Sequence, residues 1–189
     1  MGAPVRKNRL SRAGRLMRLL GGALDPRAWA HAVKLVNYYN YSHVAPRRQV
    51  TRGPGCASSP NAVFSNPERI TLGARVSIGA RCSLWAGPGT GRITVGDDVL
   101  FGPDVMVTAA GYRFNAGAPV TKQPMDEADI EIGADAWLAA SVIVLPGARI
   151  GAGAIIGAGA LVRGEIPAGA IAVGVPARVV GQRTRADSP

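Results

Sequence analysis

A six-residue repeat runs through the second half of the chain and restricts what the chain can fold into. From Ile130 to Glu165 the first position of each unit is small or branched. The third position is apolar in every unit, at Ile132, Leu138, Val144, Ile150, Ile156 and Val162. Apolar positions two residues apart fit a short strand, and hexapeptide repeats are typical of a parallel β-helix. An α-helix would need apolar residues at i, i+3, i+4 and i+7, which this register lacks.

The same register continues upstream, with two interruptions. Units begin at Ile70, Val76, Cys82, Ile93, Val99 and Val105. The first break covers residues 86–92 and the second is a long loop at residues 109–129. We therefore predict an all-β solenoid over residues 46–180, with a loop insertion at 109–129 and a tail at 181–189. Three units make one triangular coil.

The positive charge of the chain is confined to its first quarter. The net charge is +10, and residues 1–52 hold eleven Lys or Arg with a single acid, Asp25. The remainder is neutral. We therefore predict a basic, α-helical N-terminal arm at residues 1–45 that is separate from a neutral solenoid.

The arm reads as two helices with different partners. The first spans Ser11 to Leu20 and ends at Gly21-Gly22; the second runs from Pro26 to Tyr39, with Asp25 as N-cap. A basic amphipathic helix is typical of anionic membrane surfaces, so we expect membrane contact through residues 1–22. The alternative is that the second helix caps the open end of the solenoid. No nucleic-acid motif accompanies the charge, so nucleic acid is not expected.

Targeting signals are not evident in the sequence. No apolar run approaches the ~20 residues that span a bilayer, and Arg interrupts the segment from Met1 to Gly22, unlike a signal peptide. We expect a cytoplasmic protein, peripheral on the inner face of the cell membrane.

The C-terminal repeats carry a family resemblance that covers residues 50–180. Its motifs are Ile130-Glu-Ile-Gly-Ala-Asp-Ala-Trp-Leu, Val144-Leu-Pro-Gly-Ala-Arg-Ile-Gly, Ile156-Gly-Ala-Gly-Ala-Leu-Val and Ala172-Val-Gly-Val-Pro-Ala-Arg-Val-Val. The chain resembles the left-handed β-helix acyltransferases with hexapeptide repeats. It is most similar to the sugar O-acetyltransferases of capsular and exopolysaccharide biosynthesis, of the colanic acid acetyltransferase type.

The resemblance implies a homotrimer with an active site between neighbouring solenoids. Acetyl-CoA would be the co-substrate and a sugar hydroxyl, on a free or lipid-linked glycan, the acceptor. The residues implied for the donor are Trp137, Ala139, Ala140, Gly157 and Ala158, with Arg163, Arg178 and Arg183 for its phosphates. The acceptor candidates are Trp85, Arg113, Gln123 and Asp126. No metal is expected.

The catalytic loop departs from the family pattern. Pro119, Gln123 and Ile130 fall where the family frame expects them, but Tyr112 stands where relatives carry a catalytic His. An imidazole suits general-base chemistry near neutral pH, whereas a Tyr with a reference pKa near ~10 stays protonated. Tyr112 would then hold the acceptor or the oxyanion, and a loop carboxylate such as Glu127, or His43, would be the base.

Two other functions compete with the transferase. A solenoid that has lost its chemistry would act as a binding or scaffold protein, and the missing His favours this. Metal-dependent carbonic anhydrase chemistry on the same fold would need several His ligands. The chain has two His residues, His31 and His43, both outside the repeats, which disfavours it.

Overall fold

The computed structural model describes residues 11–184. The chain forms two compact units that divide between Asn40 and Tyr41. The described part of the first unit contains two helices, and the second unit contains the solenoid.

The two helices of the first unit are capped by side chains. Helix α1 (Arg12–Leu24) begins where Ser11 Oγ accepts the Gly14 N–H at 3.1 Å. Helix α2 (Pro26–Tyr39) begins where Asp25 Oδ1 accepts the Arg27 N–H at 2.8 Å. The prediction that Gly21-Gly22 ends the first helix was wrong, because α1 continues to Leu24 and stops only at the extended backbone of Asp25.

Both helices present apolar stripes that are exposed within the described residues 11–184. No residue of α1 or α2 is buried. Leu16, Leu20 and Leu24 follow one another at i, i+4 along α1, and Trp29, Val33 and Val36 form a stripe along α2; all of these are exposed. Within residues 11–184, no helix is both long and apolar enough to cross a membrane.

The second unit opens with a short helical segment that covers the first coil. A π-helical turn (Asn40–Val44) leads into α3 (Ala45–Arg47). His43 and Val50 are buried, and the Arg47 guanidinium donates to the Ser59 carbonyl oxygen. Residues 43–50 thus cover this end of the solenoid; capping by the second helix stays a prediction.

Three sheets form the sides of a left-handed parallel β-helix, as predicted. Sheet A contains β1 (Thr51–Arg52), β4 (Ile70–Leu72), β7 (Ile93–Val95), β12 (Ile130–Ile132), β15 (Arg149–Ile150) and β18 (Glu165–Ile166). Sheet B contains β2 (Ala57–Ser58), β5 (Ser77–Ile78), β8 (Leu100–Phe101), β13 (Trp137–Leu138), β16 (Ile155–Ile156), β19 (Ala170–Val173) and β20 (Arg178–Gln182). Sheet C contains β3 (Val63–Ser65), β6 (Ser83–Trp85), β9 (Met106–Thr108), β14 (Ile143–Val144) and β17 (Leu161–Val162).

The repeat register places like residues above one another. Leu138 pairs with Phe101 in the coil before it and with Ile156 in the coil after it, and all three side chains are buried. The first and third positions of each unit are therefore both buried in the core, as predicted.

The outward faces of the three sheets differ in polarity. Sheet A exposes Thr71, Thr94, Glu131 and Arg149. Sheet B carries a column of Leu100, Trp137, Ile155 and Ile171, and sheet C a column of Met106, Ile143 and Leu161. Sheet A is thus a solvated face, whereas sheets B and C each present an apolar column.

Two irregular elements interrupt the coils, beside short 3₁₀ turns at Pro67–Arg69 and Val120–Lys122. Strands β10 (Ala110–Tyr112) and β11 (Met125–Glu127) form an antiparallel hairpin inside the predicted insertion at 109–129. Strand β20 turns back and pairs antiparallel with β19, so the last strand extends two residues into the predicted tail.

Candidate functional site

The insertion hairpin presents Tyr112 at the corner between sheets C and A. The hairpin leaves the solenoid directly after β9 of sheet C and returns before β12 of sheet A. Tyr112 pairs with Met125 at its outer end, and its side chain is about half exposed, at 52%. With Arg113, Phe114 and Asp126, Tyr112 lines a shallow cavity of about 360 Å³. This is the place where the resemblance puts the acceptor.

Gln123, an acceptor candidate, is used inside the loop itself. It is buried, at 6% exposed. Its Oε1 accepts the Ala116 N–H at 3.1 Å and its Nε2 donates to the Ala118 carbonyl oxygen. Both ends of the amide are thus engaged within residues 116–123, which favours a role in shaping the loop.

Arg113 and Asp126 form an exposed pair across the hairpin. Arg113 Nε donates to Asp126 Oδ1 at 2.6 Å, and both side chains are more than half exposed. Exposed pairs contribute little to stability, so this pair can open at little cost.

The Glu127 carboxylate is held by the preceding loop. It accepts the N–H groups of Gly89 and Gly91, each at 2.7 Å, and that of Thr90. These bonds, that of Gly91 first, lower the pKa of Glu127 below its ordinary value, and the nearby Arg69 charge adds to the effect. A carboxylate stabilised in this way is a weak proton acceptor, so its surroundings favour an anchoring role over the predicted role as base.

Trp85 lies on the same corner as the hairpin, one coil earlier. It pairs with Thr108 of β9. Its indole Nε1 donates to Asn66 Oδ1 at 3.0 Å, and Asn66 adopts a left-handed backbone with φ of 55°. Trp85 is half-buried, so one part of the ring packs against the corner and the rest is accessible.

His43 lies at the start of the solenoid rather than beside Tyr112. It is buried, and its Nδ1 is 2.6 Å from Ser42 Oγ. Helix α3, which begins two residues after His43, packs against β3, and β3 lies two strands away from β9 in sheet C. Neighbouring strands are about 4.8 Å apart, so within one chain His43 sits roughly 10 Å below the hairpin level. His31 is exposed on α2.

The donor candidates cluster on sheet B and its corner with sheet C. Trp137 is 45% exposed on the outer face of β13. Ala139 and Ala140 follow it at the corner, and Gly157 and Ala158 occupy the same corner one coil later. The Ala139 N–H donates to the Ile156 carbonyl at 2.9 Å, and the Gly159 N–H to the Ala140 carbonyl at 2.9 Å. The corner is thus a ridge of small side chains whose coils are joined by backbone hydrogen bonds.

The three arginines predicted for the phosphates lie at three different corners. Arg163 follows β17 at the corner between sheets C and A. Arg178 opens β20 opposite Val173, beside the corner of the alanines. Arg183 donates to Asp135 Oδ2 at 2.8 Å, at the corner between sheets A and B. Of the three, only Arg178 shares a corner with Ala139 and Ala140.

The sequence reasoning missed the segment Gly89-Thr90-Gly91 and Asn66. The Gly- and Pro-containing break at residues 86–92 was recognised, but its N–H groups bind a carboxylate 36 to 38 residues later in the chain. In residues 11–184 no group of three or more His, Cys, Asp or Glu is arranged to hold a metal ion.

Comparisons with known proteins agree with this architecture. Residues 129–164 match the family model described as bacterial transferase hexapeptide, six repeats. The chain is 30% identical over 162 residues to a probable acetyltransferase of Mycobacterium tuberculosis, of which it spans 52%. The matched region is 75% of this chain, and the chain spans about half the length of that relative.

Two further proteins match over most of their length. A solved galactoside acetyltransferase in complex with coenzyme A has a TM-score of 0.65 and 25% identity, with coverage of 82% of this chain and 80% of that one. Nodulation protein L of Rhizobium meliloti is 33% identical over 133 residues, which cover 65% of this chain and 68% of that protein. The chain therefore belongs to the hexapeptide-repeat transferase family.

Proposed function

We propose that this protein transfers an acetyl group from acetyl-CoA to a hydroxyl group of a sugar, in the biosynthesis of a polysaccharide or glycoconjugate. The observation that carries the proposal is the pairing of two features on one solenoid. A hairpin presents Tyr112, and a ridge of small residues follows the exposed Trp137. Family membership and the coenzyme A complex of the galactoside acetyltransferase support it.

The chemistry assigns separate tasks to the residues. The sugar oxygen attacks the thioester carbonyl carbon, an oxyanion forms, and the C–S bond breaks to release the CoA thiol. The phenol of Tyr112 donates a hydrogen bond to the oxyanion or to the acceptor. A preorganised donor of this kind stabilises an oxyanion strongly when the site excludes water. The sugar proton passes to a base. Glu127 is engaged by backbone N–H groups, and His43 is buried at the start of the solenoid. Asp126, which lines the same cavity as Tyr112, is therefore the stronger candidate for that base.

The donor site follows the ridge. Trp137 packs against the pantetheine, and Ala139, Ala140, Gly157 and Ala158 leave room for it. Arg178 is the best candidate for contact with the phosphates, because it lies beside this corner, opposite Val173. Arg163 and Arg183 serve this function only if a neighbouring chain brings its donor to their corners.

A homotrimer completes the site. Tyr112 leaves the corner between sheets C and A, whereas Trp137 is on the outer face of sheet B. Within one chain these side chains occupy different faces, so a site containing both lies between two chains. The apolar columns on sheets B and C, beside a polar sheet A, support assembly through those two faces. Sedimentation equilibrium at three times the chain mass is the expected result.

Acetyl-CoA binding tests the proposal first. Calorimetric titration of acetyl-CoA, with CoA as control, should saturate near one site per chain. Transfer is then followed by release of the CoA thiol with a panel of galactosides and other glycosides. Absence of donor binding at millimolar concentration would refute the proposal, and binding without transfer to any sugar would favour a scaffold.

Two variants test Tyr112. Tyr112→Phe removes the hydroxyl and should lower kcat by about 100-fold to 1000-fold, the range for a lost oxyanion donor. Tyr112→His restores the family residue and should retain or raise kcat. If neither change alters turnover, Tyr112 has no part in catalysis.

Contact with an anionic membrane is a further part of the proposal. Arg15 and Arg18 lie on the side of α1 away from Leu16 and Leu20, whereas Arg12 is one turn before Leu16 on the same side. Within residues 11–184 these leucines are exposed. Such a helix inserts its apolar face at the headgroup boundary while its arginines meet anionic lipid. A lipid-linked glycan would then be an accessible acceptor.

Liposome flotation tests this contact. Full-length protein should float with vesicles that contain anionic lipid and stay unbound with neutral vesicles, and salt should weaken binding. Deletion of residues 1–22 should abolish flotation. An unbound full-length protein at low salt would contradict this part alone.

A further inference from the structure

Two carboxylates, one on the last residue of the hairpin and one two residues later, bind four successive backbone N–H groups of the earlier break. Glu127 accepts the N–H groups of residues 89–91, and the Asp129 Oδ1 accepts that of Arg92 at 2.9 Å. The Thr90 hydroxyl is also 3.4 Å from Glu127 Oε2. Residues 86–92 are therefore bound along their length by the segment that returns from the hairpin to the solenoid.

The same loop is held on its carbonyl side by a cation. Arg69 Nε donates to the Gly91 carbonyl oxygen at 3.1 Å, and Arg69 Nη2 donates to that of Gly87. The Arg69 side chain is only 18% exposed. A guanidinium on the carbonyls and a carboxylate on the amides thus hold residues 86–92 from two directions, with charge-assisted hydrogen bonds on both.

Two glycines of the loop leave room for the Glu127 carboxylate to approach the backbone. A Cβ on Gly87 would lie 2.9 Å from the Ala110 Cβ and 3.0 Å from the Glu127 Cδ. A Cβ on Gly89 would lie 3.0 Å from Glu127 Oε1. Side chains at these two positions would displace the Glu127 carboxyl group, so the glycines are needed for its approach to the backbone.

Glu127 also sits at the base of the hairpin. It pairs with Ala110, whereas Tyr112 lies two residues further out, opposite Met125. A two-stranded ribbon is marginally stable by itself in water, and its cross-strand ion pair Arg113–Asp126 is exposed. The orientation of Tyr112 therefore depends on how firmly the base is attached.

We propose that Glu127 is a positioning residue: its carboxylate fastens the hairpin to the loop of residues 86–92 and thereby fixes the direction in which Tyr112 points. The inference deepens the proposed function and rests on it for the role of Tyr112. Arg69 acts from the other side of the same loop. Glu127 does not take the proton of the acceptor.

Hydrogen exchange on the intact protein tests the anchoring directly. Glu127→Gln keeps the shape of the side chain but removes its charge, and its amide nitrogen opposes the N–H groups of Gly89 or Gly91. Exchange of the hairpin amides between residues 111 and 125 should become roughly tenfold to a hundredfold faster. Glu131→Gln, the same change on the solvated face of sheet A, is the matched control and should leave exchange unaltered. Unaltered exchange in Glu127→Gln would overturn the proposal.

Turnover distinguishes positioning from direct chemistry. With a galactoside as the probe acceptor, Glu127→Gln should lower kcat while the KM and Kd for acetyl-CoA stay at their wild-type values. Arg69→Gln should have the same effect, and the double variant should lose less than the sum, since both act on one loop. Loss of kcat with unaltered hairpin exchange would make Glu127 a base and overturn positioning. If the wild-type protein transfers nothing, the proposed function fails for that acceptor, and the exchange data still decide the anchoring.

Discussion

Replacement of Gly133 by alanine should push two neighbouring coils of the solenoid apart and destabilise the fold. Gly133 follows β12 at the corner between sheets A and B. A Cβ there would lie 2.4 Å from the backbone nitrogen of Ala152 and 2.8 Å from its Cα. Ordinary contacts of a Cβ begin near 3.4 Å, and the opposing atoms are backbone. The next coil would therefore have to move by about 1 Å, since backbone atoms cannot rotate away.

The magnitude follows from the hydrogen bonds beside the contact. The Gly133 N–H donates to Ile150 at 2.7 Å, and the Gly153 N–H donates to Ala134 at 2.7 Å. A displacement of about 1 Å lengthens both beyond bonding distance, and each contributes about 0.5–1.5 kcal/mol net. With some loss of packing between the coils, we expect the free energy of unfolding to fall by about 2–4 kcal/mol.

Urea denaturation followed by circular dichroism measures this loss. In a protein of this size about 2–4 kcal/mol corresponds to a Tm lower by roughly 5–15 °C. The control is Gly111→Ala in the hairpin, because a Cβ at Gly111 meets no atom within 4 Å. Equal stability of Gly133→Ala and wild type, or an equal loss in both variants, would refute the reasoning.

Three further predictions concern the core, the donor and pH. Phe101→Ala removes a side chain that is 1% exposed and should lower the free energy of unfolding by about 3–5 kcal/mol. Leu100→Asp changes the neighbouring residue on the outer face of sheet B. It should dissociate the assembly, as measured by sedimentation, without unfolding the chain. Trp137→Ala should raise the acetyl-CoA Kd about tenfold by calorimetry, a loss of about 1.4 kcal/mol, and an unaltered Kd would remove Trp137 from the donor site. Its hydrogen bonds lower the pKa of the Glu127 carboxyl. The contacts of Glu127 with residues 89–91 should therefore be intact above the ordinary Glu pKa of about 4.3. They should be lost only as the pH falls through the lower pKa that Glu127 has in the folded protein. Titration of that carboxyl by NMR checks this, and a midpoint at or above about 4.3 would contradict it.

The coils could be predicted from the sequence because their cause is local and periodic. Each six-residue unit places its first and third residues inward regardless of what stands elsewhere, so Leu138 and Ile156 were assigned to the core before the coils were stacked. The breaks at residues 86–92 and 109–129 were visible as lost periodicity for the same reason.

The surroundings of the site could not be predicted because they join distant segments. Glu127 was expected to be a base from its place in the loop, yet its environment depends on N–H groups of Gly89 and Gly91, which no local pattern links to it. The three arginines looked alike in sequence, and only stacking of the coils shows that each lies at a different corner. Helix α1 continues through Gly21 and Gly22 to Leu24. A glycine inside a helix costs about 1 kcal/mol, and this cost does not by itself end a helix.

The reversal of the last strand has a consequence for solubility. Most strands of sheet B pair in parallel with the strand of the next coil. The last strand of such a sheet would present unpaired N–H and C=O groups, on which a strand of another molecule could pair. Strand β20 occupies that edge with a backbone that runs the opposite way. The final strands of sheets A and C, β18 and β17, are two residues long, too short to nucleate pairing. The backbone edge of β19 is thus covered, and truncation before Arg178 should expose this edge and make the protein prone to aggregation.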